Sequence, residues 1–319
     1  MKCLCCGKDI REIASNEEKE AAWHKRCMKV FFGTKTMPII DITDAQLEAL
    51  ANDTVNKGLT VPGVQKKLSL HLSQETDTRL TIVNYPTGYI LKPQTEQYDS
   101  LPEFEDVAMR MAELTGIKVV PHALVKMNRS YAYITKRIDR EVFGSDVRLY
   151  AMEDFCQLSN RLTQDKYKGS YEACGRIIKK YSMHPGLDLS ELFIRVVFSF
   201  IIGNSDMHLK NFSLRERESG SREFMLSSAY DMLPVNIVIP EDEEQLALTL
   251  NGKKRNLRKK DFLIFAEQCE LPKKAALNMM NKICSMEENF IRECEESYLS
   301  EEQKISTIDL IRERIKVLA

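Results

Sequence analysis

The apolar positions change period along the chain, and the changes mark out its parts. From Leu59 to about Ile138 the pattern is that of short strands. Lys67-Leu68-Ser69-Leu70-His71-Leu72 alternates with period two, and Thr81-Ile82-Val83 and Tyr89-Ile90-Leu91-Lys92 flank a Pro86-Thr87-Gly88 turn, which predicts a hairpin. Tyr131-Ala132-Tyr133-Ile134 predicts a further strand. One helix interrupts them: Phe104, Val107, Ala108, Met111 and Leu114 recur at helical spacing, Ser100-Leu101-Pro102-Glu103 reads as a capping box, and Gly116 ends the run. After residue 150 the period is helical. Ser190 to Ile202 is apolar nearly all round, which predicts a central buried helix ending at Gly203. Phe212-Ser213-Leu214 and Phe224-Met225-Leu226 predict a small strand pair, and from Lys259 onward the pattern is helical, with Pro272 starting one helix. A short helix is predicted over 41–50, with Thr43 as its cap.

These patterns predict three parts: a Cys/His-containing head over 1–36, a β-rich lobe with one helix over 37–138, and a helical lobe over 139–319. The fold class is α+β, and the order of lobes is that of a bilobal protein kinase. Composition excludes several alternatives. Lys and Arg number 46 against 47 Asp and Glu, so no global basic field argues for nucleic acid. The longest apolar run, near Leu192–Ile202, is about half a membrane span and is broken by Arg195. With no secretory signal in Met1-Lys2-Cys3-Leu4-Cys5-Cys6, a cytoplasmic protein is expected, with no membrane contact. Of nine cysteines, Cys156, Cys174, Cys269, Cys284 and Cys294 are scattered in helical sequence and read as packing residues.

The densest polar segment is Gly203-Asn204-Ser205-Asp206-Met207-His208-Leu209-Lys210-Asn211-Phe212, followed by Ala229-Tyr230-Asp231-Met232-Leu233-Pro234. Phosphoryl transfer needs a carboxylate to orient and deprotonate the attacking hydroxyl, and oxygen ligands that hold Mg²⁺ against the phosphates. An Asp, an Asn five residues later, and a second Asp beyond a short hairpin supply these parts, although the usual HRD and DFG flanks are absent. A solvated loop after a buried helix is the plainer alternative, but Ile201-Ile202 and Phe212 pin this loop to the core.

Six motifs in order then resemble the HipA family of bacterial kinases, the toxins of toxin–antitoxin modules, and most of all its short HipT-like members. They are Val61-Pro62-Gly63-Val64-Gln65-Lys66-Lys67-Leu68, Ile90-Leu91-Lys92-Pro93, Lys136-Arg137-Ile138-Asp139-Arg140, Met152-Glu153-Asp154-Phe155-Cys156-Gln157, Gly203 to Phe212, and Tyr230-Asp231-Met232-Leu233. The resemblance covers roughly residues 40 to 310. It implies Asp206 as catalytic base with His208 in the same loop, and Asn211 and Asp231 as Mg²⁺ ligands. It implies Lys92 as the strand lysine on the ATP phosphates, and Lys136, Arg137 and Ile138 as the stretch whose backbone faces adenine. The Gly63 loop, with Thr60, Gln65 and Lys66, would lie near the phosphates. Thr60 alone could inherit the family's regulatory autophosphorylation, since Pro62 stands at the other comparable position. Glu105 is preferred as the partner of Lys92, because Glu103 is taken up by the capping box.

A second constellation is Cys3-Leu4-Cys5-Cys6 with Trp23-His24-Lys25-Arg26-Cys27. C-x-x-C and H-x-x-C give four soft ligands, Cys3, Cys6, His24 and Cys27, of a structural Zn²⁺ site, with Cys5 able to replace either of the first two. So short a head builds no core of its own, so it is expected to be a metal-held appendage whose loss spares ATP binding. Lys253-Lys254-Arg255-Asn256-Leu257-Arg258-Lys259-Lys260 is the strongest basic run and a candidate nucleic-acid contact. The leading expectation is a Ser/Thr protein kinase acting on a translation component such as an aminoacyl-tRNA synthetase, as the resemblance implies. A HipB-like helix-turn-helix antitoxin and a separate N-subdomain protein are the expected partners, with nucleic acid reached only through that complex. The alternatives are an inactive kinase-like regulator that binds DNA with an antitoxin, and a small-molecule kinase.

Overall fold

The structure, a computed structural model, describes residues 1–40, 67–73, 79–81, 88–127, 130–143 and 146–319. It divides into two compact units: residues 1–106 with 121–147, and residues 107–120 with 148–319.

The first unit opens with helices α1 (Asn16–Ala21) and α2 (Lys25–Phe32). Ser15 and Glu18 cap α1 reciprocally, and Gly33 ends α2 with φ of 78°, a left-handed turn that favours glycine. A six-stranded sheet follows, from β1 (Ile39–Ile40), β2 (Leu68–Ser73), β3 (Arg79–Thr81), β4 (Tyr89–Pro93), β5 (His122–Met127) and β6 (Ser130–Lys136), in the order β1-β3-β2-β4-β6-β5. Among the described residues of this sheet only β1 and β3 pair in parallel. The period-two reading of β2 holds, with Leu68 and Leu70 buried and Ser69 exposed. The predicted hairpin lies partly outside the described residues, at 82–87, and among the described residues β3 and β4 are not neighbours. β2 lies between them, pairing through His71–Ser73 with β3 and through Leu68–Leu70 with β4.

The head shares its core with this sheet. Trp23 is fully buried and its indole N–H donates to the Leu124 carbonyl at 3.0 Å. The Leu124 amide donates to Leu4 at 3.1 Å, and the Tyr89 hydroxyl to the Phe31 carbonyl at 3.1 Å. Phe31 and Phe32 pack on the Tyr89 ring, centroids 5.9 and 5.6 Å away. The boundary expected at residue 36 therefore does not separate two cores. Burying three aromatic rings of about 150 Å² or more each gives the first 36 residues a hydrophobic anchor that their length alone did not suggest.

Helix α3 (Leu101–Thr115) begins in the first unit and ends in the second; a hairpin, β7 (Arg140–Phe143) and β8 (Asp146–Leu149), carries the chain onward. The capping box expected at Ser100 is not formed. Ser100 is left-handed, with φ of 58°, where a cap needs extended backbone, and the Glu103 Oε2 is buried without a hydrogen-bond partner.

The second unit adds a three-stranded sheet with β10 (Ser213–Glu216) central between β9 (Met152–Asp154) and β11 (Phe224–Leu226). Its helices are α4 (Phe155–Leu158), α5 (Tyr171–Tyr181), α6 (Pro185–Ile201), α7 (Val235–Val238), α8 (Lys259–Gln268), α9 (Lys273–Cys284), α10 (Glu287–Glu295) and α11 (Glu301–Leu318). α6 is the central buried helix that the sequence predicted; α5, α8, α9 and α11 surround it, and of its last ten residues only Ile194 is not buried. Arg195, which interrupts the apolar run, is buried with partners: Glu191 accepts from its Nε at 3.0 Å and the Ser227 carbonyl from its Nη2 at 2.7 Å. Among the described residues no helix is long and apolar enough to cross a membrane.

Candidate active site and metal centre

The segment after α6 turns at Gly203, whose φ is 71° and where a Cβ would stand 2.5 Å from Leu310 and 3.2 Å from Asn236. Only glycine allows the helix to stop and the loop to leave here. The loop is then held from within. Buried Asn204 accepts the Asp206 amide at 3.1 Å. The Asp206 carbonyl accepts both the His208 amide, at 2.8 Å, and the Asn211 side-chain amide, at 2.9 Å. The five-residue spacing thus has a structural cause: Asn211 closes the loop onto the backbone of Asp206, through its nitrogen, and its oxygen is the end not used in that bond. The Asp206 carboxylate remains partly exposed, with His208 Nε2 3.8 Å from its Oδ1.

Two further ties fix the loop to neighbouring sequence. Lys210 pairs with Asp154 at 2.7 Å, and the Phe155 and Phe212 rings stack 5.6 Å apart, which accounts for the motif 152–157. Ser213 donates to the Tyr230 hydroxyl at 2.5 Å, and Tyr230 in turn donates to the Lys210 carbonyl at 3.1 Å. Burial pushes the Tyr230 phenol up, so it stays a donor. Asp231, beside it, adopts φ of 61°, unusual for a residue with a side chain. Ala229 anchors that segment, its amide donating to Lys118 and its carbonyl accepting from Val120. Asn211 and Asp231 are therefore each one residue from the two ends of the Tyr230–Lys210 bond, and both offer oxygen to a hard cation such as Mg²⁺.

Sequence reasoning missed Tyr167. Its hydroxyl donates to Asp206 Oδ1 at 2.5 Å and its ring meets His208 edge-on at 5.1 Å. It lies 39 residues before Asp206 in a polar loop with no periodic or motif signal.

In the first unit, Lys92 is buried on β4 and forms an ion pair with buried Glu105 on α3, with the Tyr133 ring 5.3 Å from its ammonium. Glu105, rather than Glu103, is the partner. A buried pair of this kind contributes little net stability, but losing one member leaves an uncompensated charge, costing about 3–5 kcal/mol. The pair therefore fixes the lysine in place. The expected adenine stretch is partly committed: the Lys136 amide donates to Pro121 at 3.0 Å and the Arg137 amide to Gly88 at 2.9 Å, and the Arg137 side chain is bidentate on Asp139. Thr60, Gly63, Gln65 and Lys66 lie outside the described residues.

Also in the first unit, ligand atoms of Cys3, Cys6, His24 and Cys27 lie within 4.8 Å of one another. His24 Nδ1 is 3.4 Å from the Cys6 sulfur and 3.8 Å from that of Cys27, and its Nε2 donates to the Asp9 carbonyl at 3.2 Å. That outer bond selects the tautomer whose Nδ1 lone pair faces the thiols. Three thiols and an imidazole suit tetrahedral Zn²⁺. Cys5 is not among the four. The other five cysteines form no disulfide; all but Cys284 are buried, as packing residues would be. Half of the basic run is paired with acids of its own unit: Lys253 with Asp261, Lys254 with Glu244 and Arg255 with Glu243.

Comparison with known proteins follows the same residues. The family model described as HipA-like C-terminal domain matches residues 59–290. The candidate kinase Y4dM of Sinorhizobium fredii is 32% identical over 69% of this chain and 56% of its own. The serine/threonine-protein kinase toxin HipA of Shewanella oneidensis is 26% identical over 61% of this chain and 47% of its own. The chain thus spans about half the length of the relatives it matches. Among solved structures, Shewanella oneidensis HipA, in a complex with HipB and operator DNA, superposes with a TM-score of 0.66 at 18% identity, covering 80% of this chain and 63% of that one. The Helicobacter pylori proinflammatory kinase CtkA gives 0.54 at 17%, covering 78% and 90%. Both likenesses establish a mixed α+β, kinase-like fold. With a family model matched over most of its length, and with kinases as relatives, the chain belongs to the HipA-like C-terminal domain family and is a kinase or kinase-like protein.

Proposed function

We propose that the chain transfers the γ-phosphoryl group of ATP, with Mg²⁺, to a serine or threonine hydroxyl of a protein. The observation that carries this reading is the closed Asp206–Asn211 loop, bonded through Tyr230 to the segment of Asp231. Asp206 orients the acceptor hydroxyl and takes its proton. Asn211 and Asp231 hold the metal, which when bound neutralises charge on the β- and γ-phosphates. Lys92, fixed by Glu105, contributes a cation to the phosphates. A structural Zn²⁺ on Cys3, Cys6, His24 and Cys27 completes the inventory; with four protein ligands it keeps no open position for catalysis.

The relatives extend the reading to partners. A toxin role is inferred, with a translation component such as an aminoacyl-tRNA synthetase as acceptor, and with a HipB-like antitoxin and its operator DNA as the controlling complex. DNA would be reached through the antitoxin, since half of the basic run is paired with acids of the chain.

The test is transfer of label from γ-labelled ATP to cytosolic protein by the purified chain, which also separates protein from small-molecule acceptors. Asp231→Ala is expected to weaken ATP binding at least tenfold with Mg²⁺ present and little in EDTA, because a metal ligand matters only when metal bridges protein and phosphate (about tenfold or more for one lost carboxylate ligand). Calorimetry under both conditions measures this; equal losses would contradict the role.

A further inference from the structure

Three contacts run from one short segment, Lys166 to Tyr171, onto the loop that carries Asp206. The Lys166 carbonyl accepts the Leu209 amide at 3.2 Å, and the buried Tyr171 hydroxyl donates to the Met207 carbonyl at 3.1 Å. These two bonds grip the backbone on either side of His208. Between them in sequence, the Tyr167 hydroxyl donates to Asp206 Oδ1 at 2.5 Å. The Tyr167 ring is itself held, edge-on to His208 at 5.1 Å and with the Lys166 ammonium 4.9 Å from its centroid.

We infer that Tyr167 is a positioning residue for the phosphoryl-transfer base, fixing the Asp206 carboxylate in one rotamer by a hydrogen bond to Oδ1; this rests on the kinase reading of Asp206. A carboxylate on a loop rotates about its terminal torsion with little resistance, because that torsion is broad. A proton acceptor must instead meet the attacking hydroxyl at hydrogen-bond distance in a defined direction. A donor on one oxygen restricts that rotation, and the ring's two packing contacts keep the donor in place. Burial, and next the neighbouring Asp206 charge, push the phenol up, so it stays protonated and gives its hydrogen to the carboxylate without taking the acceptor's proton. The charged groups around the pair are His208, Lys166, Asp242 and Glu244.

Tyr167→Phe keeps the ring and removes only the donor. In the full chain it is expected to lower kcat about tenfold with the KM for ATP unchanged, as misorientation of a reacting group does. ATP binding measured by calorimetry should be unchanged, so that the loss falls on kcat alone. A structural role alone would lower the melting temperature and leave the kcat of the folded protein in place. Wild-type kcat in a folded Tyr167→Phe protein would overturn the inference while leaving the kinase reading intact. So would a rise in kcat, which would mean that the hydroxyl blocks the acceptor's place. A wild-type chain without transfer activity would remove both.

Discussion

Asp206→Asn is expected to cut phosphoryl transfer about a thousandfold while ATP·Mg²⁺ still binds. The substitution is nearly isosteric, and an amide oxygen can still accept the Tyr167 hydroxyl, so local packing is retained. What it removes is the capacity to take a proton. The loop survives because Asp206 holds it through backbone rather than side chain: its amide donates to Asn204, and its carbonyl accepts from the amides of His208 and Asn211. Asn211 and Asp231, the proposed metal ligands, are unchanged. Single-turnover transfer and calorimetric ATP binding, measured on the same preparation, separate the two effects. Near wild-type turnover would remove Asp206 from the chemistry.

The second large effect concerns the metal. Cys27→Ser is expected to abolish zinc binding and to destabilise the whole first unit, not the head alone. Structural zinc sites contribute about 10 kcal/mol or more in apparent binding. That energy is connected to the sheet, because Trp23 precedes the ligand His24 and bonds to Leu124, and α2, which carries Cys27, ends in the Phe31 and Phe32 rings against Tyr89. Tyr89 begins the strand that carries Lys92. ATP affinity should therefore weaken with metal loss, contrary to the appendage that length alone suggested. Metal analysis, thermal melting and ATP titration of Cys27→Ser and wild type check this. Chelator-treated wild type that melts and binds ATP as before would exclude a structural metal.

Patterns written in consecutive residues were legible in the sequence. α6 was, because a helix buried on every side is apolar on every side, and the four zinc-type ligands were, because paired two-residue spacings are local. Pairing between distant segments was not. β3 and β4 look like one hairpin because little sequence separates them, yet period-two alternation says which face of a strand is buried and nothing about its neighbour; β2 took both partners. Tyr167 was invisible for the same reason, and so was the pairing of Lys253, Lys254 and Arg255 with Asp261, Glu244 and Glu243, which are distributed on both sides of the basic run. Glu105 was found by elimination from a capping box that does not form. The pairing with Lys92 is real, but its cause is that Glu105 lies on the buried face of α3.

The Trp23–Leu124 bond spans 101 residues, and that distance has a meaning in time. At about 5–20 residues per second of synthesis, Trp23 leaves the ribosome roughly 5–20 seconds before the carbonyl that receives it. During that interval the indole and the Phe31 and Phe32 rings have no sheet to cover them. The four ligands, all made within the first 27 residues, are complete almost at once. If the proposed zinc binds, its early capture would hold this aromatic cluster in shape until the strand arrives, and metal supply during translation, rather than after it, would then set the yield of folded protein.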